Sequence, residues 1–83
     1  PNPVVTGSIL SFSLRNAGSV ELDLFTVTGR HVQRLASGWF GVGNHTVAWQ
    51  GRGKSGEALA NGIYVVRFRG DGVSQSQKLI VVR

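Results

Sequence analysis

His31 and His45 are the only imidazoles in the chain, so they are the first groups to weigh for reaction chemistry. A nucleophile–base–carboxylate relay can be drawn from a serine, His45 and Asp23. Such a relay needs its nucleophile on a strained turn, with backbone donors ready for the developing oxyanion. No motif of that kind is present. Both histidines instead follow a turn and open an alternating stretch, where a solvated or packing role is the expectation. The chain is read as non-enzymatic.

Metal and phosphate chemistry are similarly thin. The four carboxylates, Glu21, Asp23, Glu57 and Asp71, are too few and too dispersed for a hard-cation cage. Glu21 and Asp23 share a strand face and would at most contribute to a weak Ca²⁺ site; an ordinary solvated face is the plainer expectation. The absence of cysteine excludes thiolate metal sites and a disulfide framework. The stretch "GRGKSG" at 51–56 sets Lys54 and Ser55 among glycines. It lacks the G-x-x-x-x-G-K-[ST] spacing of a phosphate loop, and no helical pattern follows. Neither a metal nor a cofactor is expected. Trp39 and Phe40, in the Gly-rich stretch "SGWFGVGN", raise sugar stacking. Closure of one end of the core by Trp39 is the favoured role.

Eighty-three residues that are 41% hydrophobic are enough for one small core. A chain of this length buries only about 60% of its unfolded surface, so its stability margin is narrow. The nine lysines and arginines give a net charge of +5, which favours acidic partners. They are scattered rather than clustered, so a dedicated nucleic-acid surface is not expected. No apolar run has transmembrane length, and direct membrane insertion is not expected. The chain opens on Pro1 rather than Met. It is expected to be a single domain, residues 1–83, of a larger protein.

Period-two alternation positions everything else. "SILSFSL" sends Leu10, Phe12 and Leu14 to one face, and "VELDLF" sends Val20, Leu22 and Leu24 inward with Glu21 and Asp23 outward. "TVTGR" is a turn in which Gly29 supplies positive φ. In "HVQRLA" the three-residue spacing of Val32 and Leu35 predicts a bulge. "SGWFGVGN" reads as a loop. "HTVAWQ" puts His45, Val47 and Trp49 on one face, with Trp49 in the core. Residues 51–62 form the longest irregular stretch. "GIYVVRFR" alternates Tyr64, Val66 and Phe68 against Ile63, Val65, Arg67 and Arg69. Asp71-Gly72 is a two-residue hairpin turn into a return strand. With "PVVT" as an edge strand the total is seven, in an all-β sandwich or small barrel.

The order "PNP", "VELDLFTVTGRHVQRL", "GNHTVAWQG", "GEALANGIYVVRF" and "QKLIVVR" resembles two overlapping families. One is the C-terminal domain of type IX secretion cargo; the other is the Ig-like domain of the flagellar hook-cap protein. The resemblance spans essentially the whole chain. It implies an antiparallel β-sandwich of about seven strands, Ig-like or fibronectin-III-like. Gly29 and Arg30 match its "GR" turn, Gly62 and Tyr64 its "G-x-Y" strand start, and Lys78 with Val81 its last strand. Thr26, Gln50 and Val4 depart from the Asp, Asp and Phe usual at those places.

The secretion branch implies a C-terminal sorting signal that carries a fused N-terminal cargo to an outer-membrane translocon or shuttle protein. The domain would then be exported, in the periplasm in transit and afterwards cell-surface or extracellular. A structural spacer or hook-cap assembly module is the alternative, and a carbohydrate-binding accessory module a second.

The residues independently single out the last strand. If Leu79 and Val81 face the core, Ile80 and Val82 point outward with Ser76 and Lys78. Beside them the neighbouring strand offers Ile63, Val65, Arg67 and Arg69. This makes either an apolar patch rimmed by positive charge, fit for a protein contact, or simple cross-strand packing. The segment Lys78, Leu79, Ile80, Val81, Val82 and Arg83 is the candidate partner-binding site. Removal of residues 79–83 is expected to trap a fused cargo in the periplasm.

Overall fold

The computed structural model describes residues 3–6 and 9–82. Among them run seven strands: β1 (Val4–Thr6), β2 (Ile9–Leu14), β3 (Gly18–Thr26), β4 (His31–Phe40), β5 (Gly43–Ala48), β6 (Gly62–Gly70) and β7 (Val73–Val81). They form a three-stranded sheet in the order β1-β2-β5 and a four-stranded sheet in the order β4-β3-β6-β7. Every pairing is antiparallel. The all-β sandwich expected from alternation is the fold observed.

Alternation decides what fills the space between the sheets. Leu10, Phe12 and Leu14 of β2 are buried, as are Val20, Leu22 and Leu24 of β3 and Tyr64, Val66 and Phe68 of β6. Leu79 and Val81 of β7 and Trp49 complete the core. Full burial of each such aliphatic or phenyl side chain contributes about 1.5–3 kcal/mol.

One sheet is a strand narrower than the other, and β7 registers the difference. Its residues 73–78 are exposed, whereas Leu79 and Val81 are buried. Gln75 and Gln77 pair with Phe68 and Val66 and so share their inward face. They are nevertheless solvated.

Two expectations about β4 need separate treatment. The predicted bulge is present: pairing slips between Leu22↔Ala36 and Asp23↔Arg34, leaving Leu35 as the extra residue. A second slip, between Leu24↔Gln33 and Phe25↔His31, leaves Val32 extra in turn, and both Val32 and Leu35 pack on the core despite their odd spacing. The predicted loop at "SGWFGVGN" is corrected. Ser37–Phe40 continue β4 and pair with residues 18–21 of β3. Gly38 adopts φ 130° inside the strand, so its glycine serves pairing rather than a turn. Only Gly41 and Val42 separate β4 in one sheet from β5 in the other.

The turns explain several choices of residue type. In the β3–β4 turn Gly29 has φ 94°, and an added Cβ would meet no neighbour there. The requirement for glycine is therefore conformational rather than one of space. Arg30 N–H donates to Thr26 Oγ1 at 3.1 Å. The Thr26 hydroxyl thus accepts in the turn where the resemblance leads one to expect an Asp carboxylate. The β6–β7 turn is Asp71-Gly72, with φ 54° and 72°, the left-handed pair that a two-residue hairpin needs. The Asp71 carboxylate also accepts from the backbone N–H of Arg15 (2.9 Å) and Asn16 (3.3 Å), tying this turn to the one between β2 and β3.

Candidate functional site

The outward side chains of β4, β3, β6 and β7 form one continuous surface, and pairing register arranges them in rows. One row is Arg34, Asp23, Arg67 and Ser76; the next is His31, Phe25, Val65 and Lys78; beyond it lie Ile63 and Ile80. The polar half of this surface is heavily engaged. The Glu21 carboxylate accepts from Arg69 at 2.7 Å and lies 3.5 Å from Arg34. Asp23 accepts from Arg34 Nε at 3.0 Å and lies 2.9 Å from His31 Nε2.

Asp23 corrects an expectation. Alternation puts it on the outer face, which is right, but it is only 1% exposed. His31 and Arg34 fold over it from β4 and cover the carboxylate. The relay drawn from His45 and Asp23 is not assembled, since β5 and β3 belong to different sheets. His45 instead packs against Phe12 and Phe40 at ring separations of 5.3 and 5.1 Å. Both carboxylates of the weak Ca²⁺ idea are already engaged by guanidinium groups. Among the described residues no cluster of three or more His, Asp or Glu stands in metal-binding proximity.

The electrostatics of this network give a pH dependence with a definite sign. Burial pushes the Asp23 carboxyl up, but hydrogen bonds from Arg34 and His31 outweigh it and hold it below its ordinary value. The Arg69 hydrogen bond, with Arg34 beside it, does the same for Glu21. A depressed folded-state pKa contributes stability above the unfolded value and loses it as pH falls through the folded one. Urea midpoints are therefore expected to be flat from about pH 7 to 5 and to decline below about pH 4. Asp23→Asn should flatten part of that acid limb. An acid limb identical in wild type and Asp23→Asn would exclude Asp23 as its source.

The other half of the surface is apolar and cationic. Ile63 is 47% exposed, Ile80 62% and Val82 78%. Ile63 and Ile80 are directly paired across the two strands. Arg67 lays its guanidinium over the Phe25 ring, 4.6 Å from the centroid, a cation–π contact. Its Nε is buried with no hydrogen-bond partner among the described residues. Lys78 is exposed and forms no ion pair among the described residues. The expected outward placement of Ile63, Ile80 and Val82 is thus observed.

The candidate segment itself is divided by the fold. Leu79 and Val81 are removed from the docking set, because their side chains are buried in the core. Lys78, Ile80 and Val82 remain on the surface, and Arg83 lies outside the described residues. Ser76 lies on the same face, as expected, and Phe25, which the sequence does not single out, joins them. Continued alternation along β3, from Asp23 to Phe25, is the signal that points to Phe25.

Trp49 is buried and its Nε1–H donates to Arg52 O at 3.3 Å. Tyr64 is buried with its hydroxyl donating to Ala60 O at 2.8 Å, at the rim as expected. Gly62 has φ 154°. Arg30 is exposed in the turn. Trp39 is a further correction. It is 73% exposed, on the outer face opposite Ser19, and does not close the core. Because the segment is strand rather than loop, Trp39 and Phe40 point to opposite faces. It is Phe40 that turns inward, against Phe12 at 5.2 Å.

Two antiparallel sheets around a single layer of alternating apolar side chains define an immunoglobulin-like β-sandwich. The chain belongs to the FlgD Ig-like domain family, whose model matches residues 5–72. The hook-cap side of the resemblance is thereby borne out, whereas membership among type IX C-terminal domains is not shown. Comparisons with curated proteins and with solved structures find no match.

Proposed function

We propose that the domain is a structural, non-catalytic Ig-like module of the flagellar hook-cap type, acting through protein–protein assembly within a larger exported protein. The observation that supports this reading is the family match over residues 5–72, which takes in strands of both sheets. The exposed Ile63, Ile80 and Val82 supply a surface suited to such contacts. On this reading the partners are neighbouring protein segments, and no cofactor takes part. A type IX sorting tag engaging a translocon or shuttle is the competing reading. The exposed Trp39 adds a sugar-stacking surface, but a lone indole opposite Ser19 is a weak basis for a glycan site.

Exchange of the domain in its parent protein for an unrelated Ig-like sandwich of equal length tests the proposal. An assembly module predicts loss of the parent's incorporation into its surface structure, with export intact. Unimpaired incorporation would mean a passive spacer. Retention of the parent in the periplasm would mean a sorting tag.

A further inference from the structure

The outer edge of β7 borders the apolar and cationic surface, and the two features describe one ligand between them. β7 is an edge strand of the four-stranded sheet. It runs nine residues in unbroken register with β6. Edge strands that must stay unpaired are usually short, bulged, or guarded by charge and proline. The sequence of β7, "VSQSQKLIV", contains no proline and a single charge, Lys78. Its first six residues are exposed.

Beside that edge, positive charge has no ion-pair partner among the described residues. Lys78 and Arg67 are diagonal neighbours across the pairs Val65↔Lys78 and Arg67↔Ser76, a separation of roughly 7–8 Å. The Ser76 hydroxyl sits between them on the same face. Glu21 and Asp23, the carboxylates of this surface, are engaged by Arg69, Arg34 and His31. Next to the two cations, the Ile63–Ile80 pair is apolar and exposed.

We infer that β7 accepts a fifth strand from a protein partner whose outward residues are acidic beside Ser76 and Lys78 and apolar beside Ile80. Main-chain bonds to the edge supply affinity, and the outward side chains supply selectivity. The register sets the motif. An antiparallel segment reads apolar-x-acidic-x-acidic from its N-terminus, and a parallel one reads acidic-x-acidic-x-apolar. The intervening positions lie beside Gln77 and Leu79, and the one that meets Gln77 is polar. This inference rests on the assembly-module reading only in taking the ligand to be a protein.

The test uses the 83-residue chain and nine-residue synthetic peptides, with Val at the apolar position, Glu at the acidic positions and Thr between. Both strand directions are made, together with Lys-for-Glu counterparts. One Glu peptide is expected to bind at least about tenfold more tightly than its Lys counterpart, with affinity falling as salt rises. Lys78→Glu, an exposed change that leaves the core untouched, should reverse the preference. Ile80→Ser should weaken binding without altering it. N-methylation of alternate peptide bonds should abolish binding. Equal affinity for Glu and Lys peptides, or no binding by either, would overturn the proposal. Full binding by the N-methylated peptide would overturn strand addition. Self-association that outcompetes the peptides would replace the partner with a second copy. A negative result here alongside a positive domain exchange would relocate the contact surface while leaving the assembly role standing.

Discussion

Phe68→Ala is expected to leave much of the population unfolded at room temperature. Phe68 is fully buried on β6, and its ring lies 5.4 Å from that of Phe12 across the sandwich. Gly70, two residues on, leaves the space the ring occupies, since a Cβ there would come 2.8 Å from Phe68 Cζ. The side chain therefore bridges the two sheets with little room around it. Truncation of a buried phenylalanine costs about 3–5 kcal/mol once the remaining cavity is included. A domain of this size has a total stability of roughly 4–12 kcal/mol. Urea unfolding followed by tryptophan fluorescence is the measurement, since Trp49 moves from core to solvent while Trp39 is exposed throughout. A loss below about 1 kcal/mol would mean that the sandwich is not centred on this ring.

Removal of residues 79–83 is expected to be nearly as damaging, and this changes what such a truncation can reveal. It takes away Leu79 and Val81, both buried, and the pairings Tyr64↔Leu79, Ile63↔Ile80 and Gly62↔Val81. The two buried side chains alone contribute about 3–6 kcal/mol. A truncated chain that fails to reach the surface would thus report misfolding as readily as lost recognition. The informative variant is Ile80→Ser with Val82→Ser. These residues face solvent, and surface changes of this kind shift stability by about 0.5 kcal/mol or less. The truncated chain should show collapsed near-ultraviolet dichroism, and the double serine variant a native spectrum. A native spectrum from the truncated chain would mean that β7 contributes little to the core.

Much of this arrangement is legible in the order of residue types. Period-two alternation locates the strands, and the faces of Leu10, Phe12, Leu14, Tyr64, Val66 and Phe68 follow from it directly. The bulge at Leu35 is legible because alternation cannot otherwise bring Val32 and Leu35 to one side. What escapes the sequence is set by contacts distant along the chain. Asp23 is buried because His31 and Arg34 cross from β4 to cover it, and nothing in "VELDLF" announces that cover. The glycine neighbours of Trp39 suggest a loop and an inward ring, whereas pairing with β3 continues through Gly38. Leu79 and Val81 join the expected docking segment only if contiguous residues share one surface. In a strand the pleat divides such a segment between two environments.

The bonds from Asp71 to the backbone of Arg15 and Asn16 join the tip of the β6–β7 hairpin to the crossover that carries the chain from β2 in one sheet to β3 in the other. The aromatic group of Phe12, Phe40 and His45 gathers toward that same end, beside the Gly41-Val42 crossover. The far end is bridged by the long irregular segment before β6, where Leu59 packs on the core and Arg52 O and Ala60 O accept from Trp49 and Tyr64. The sandwich is consequently clasped at one end by a carboxylate and laced at the other by loop carbonyls that hold the polar tips of Trp49 and Tyr64.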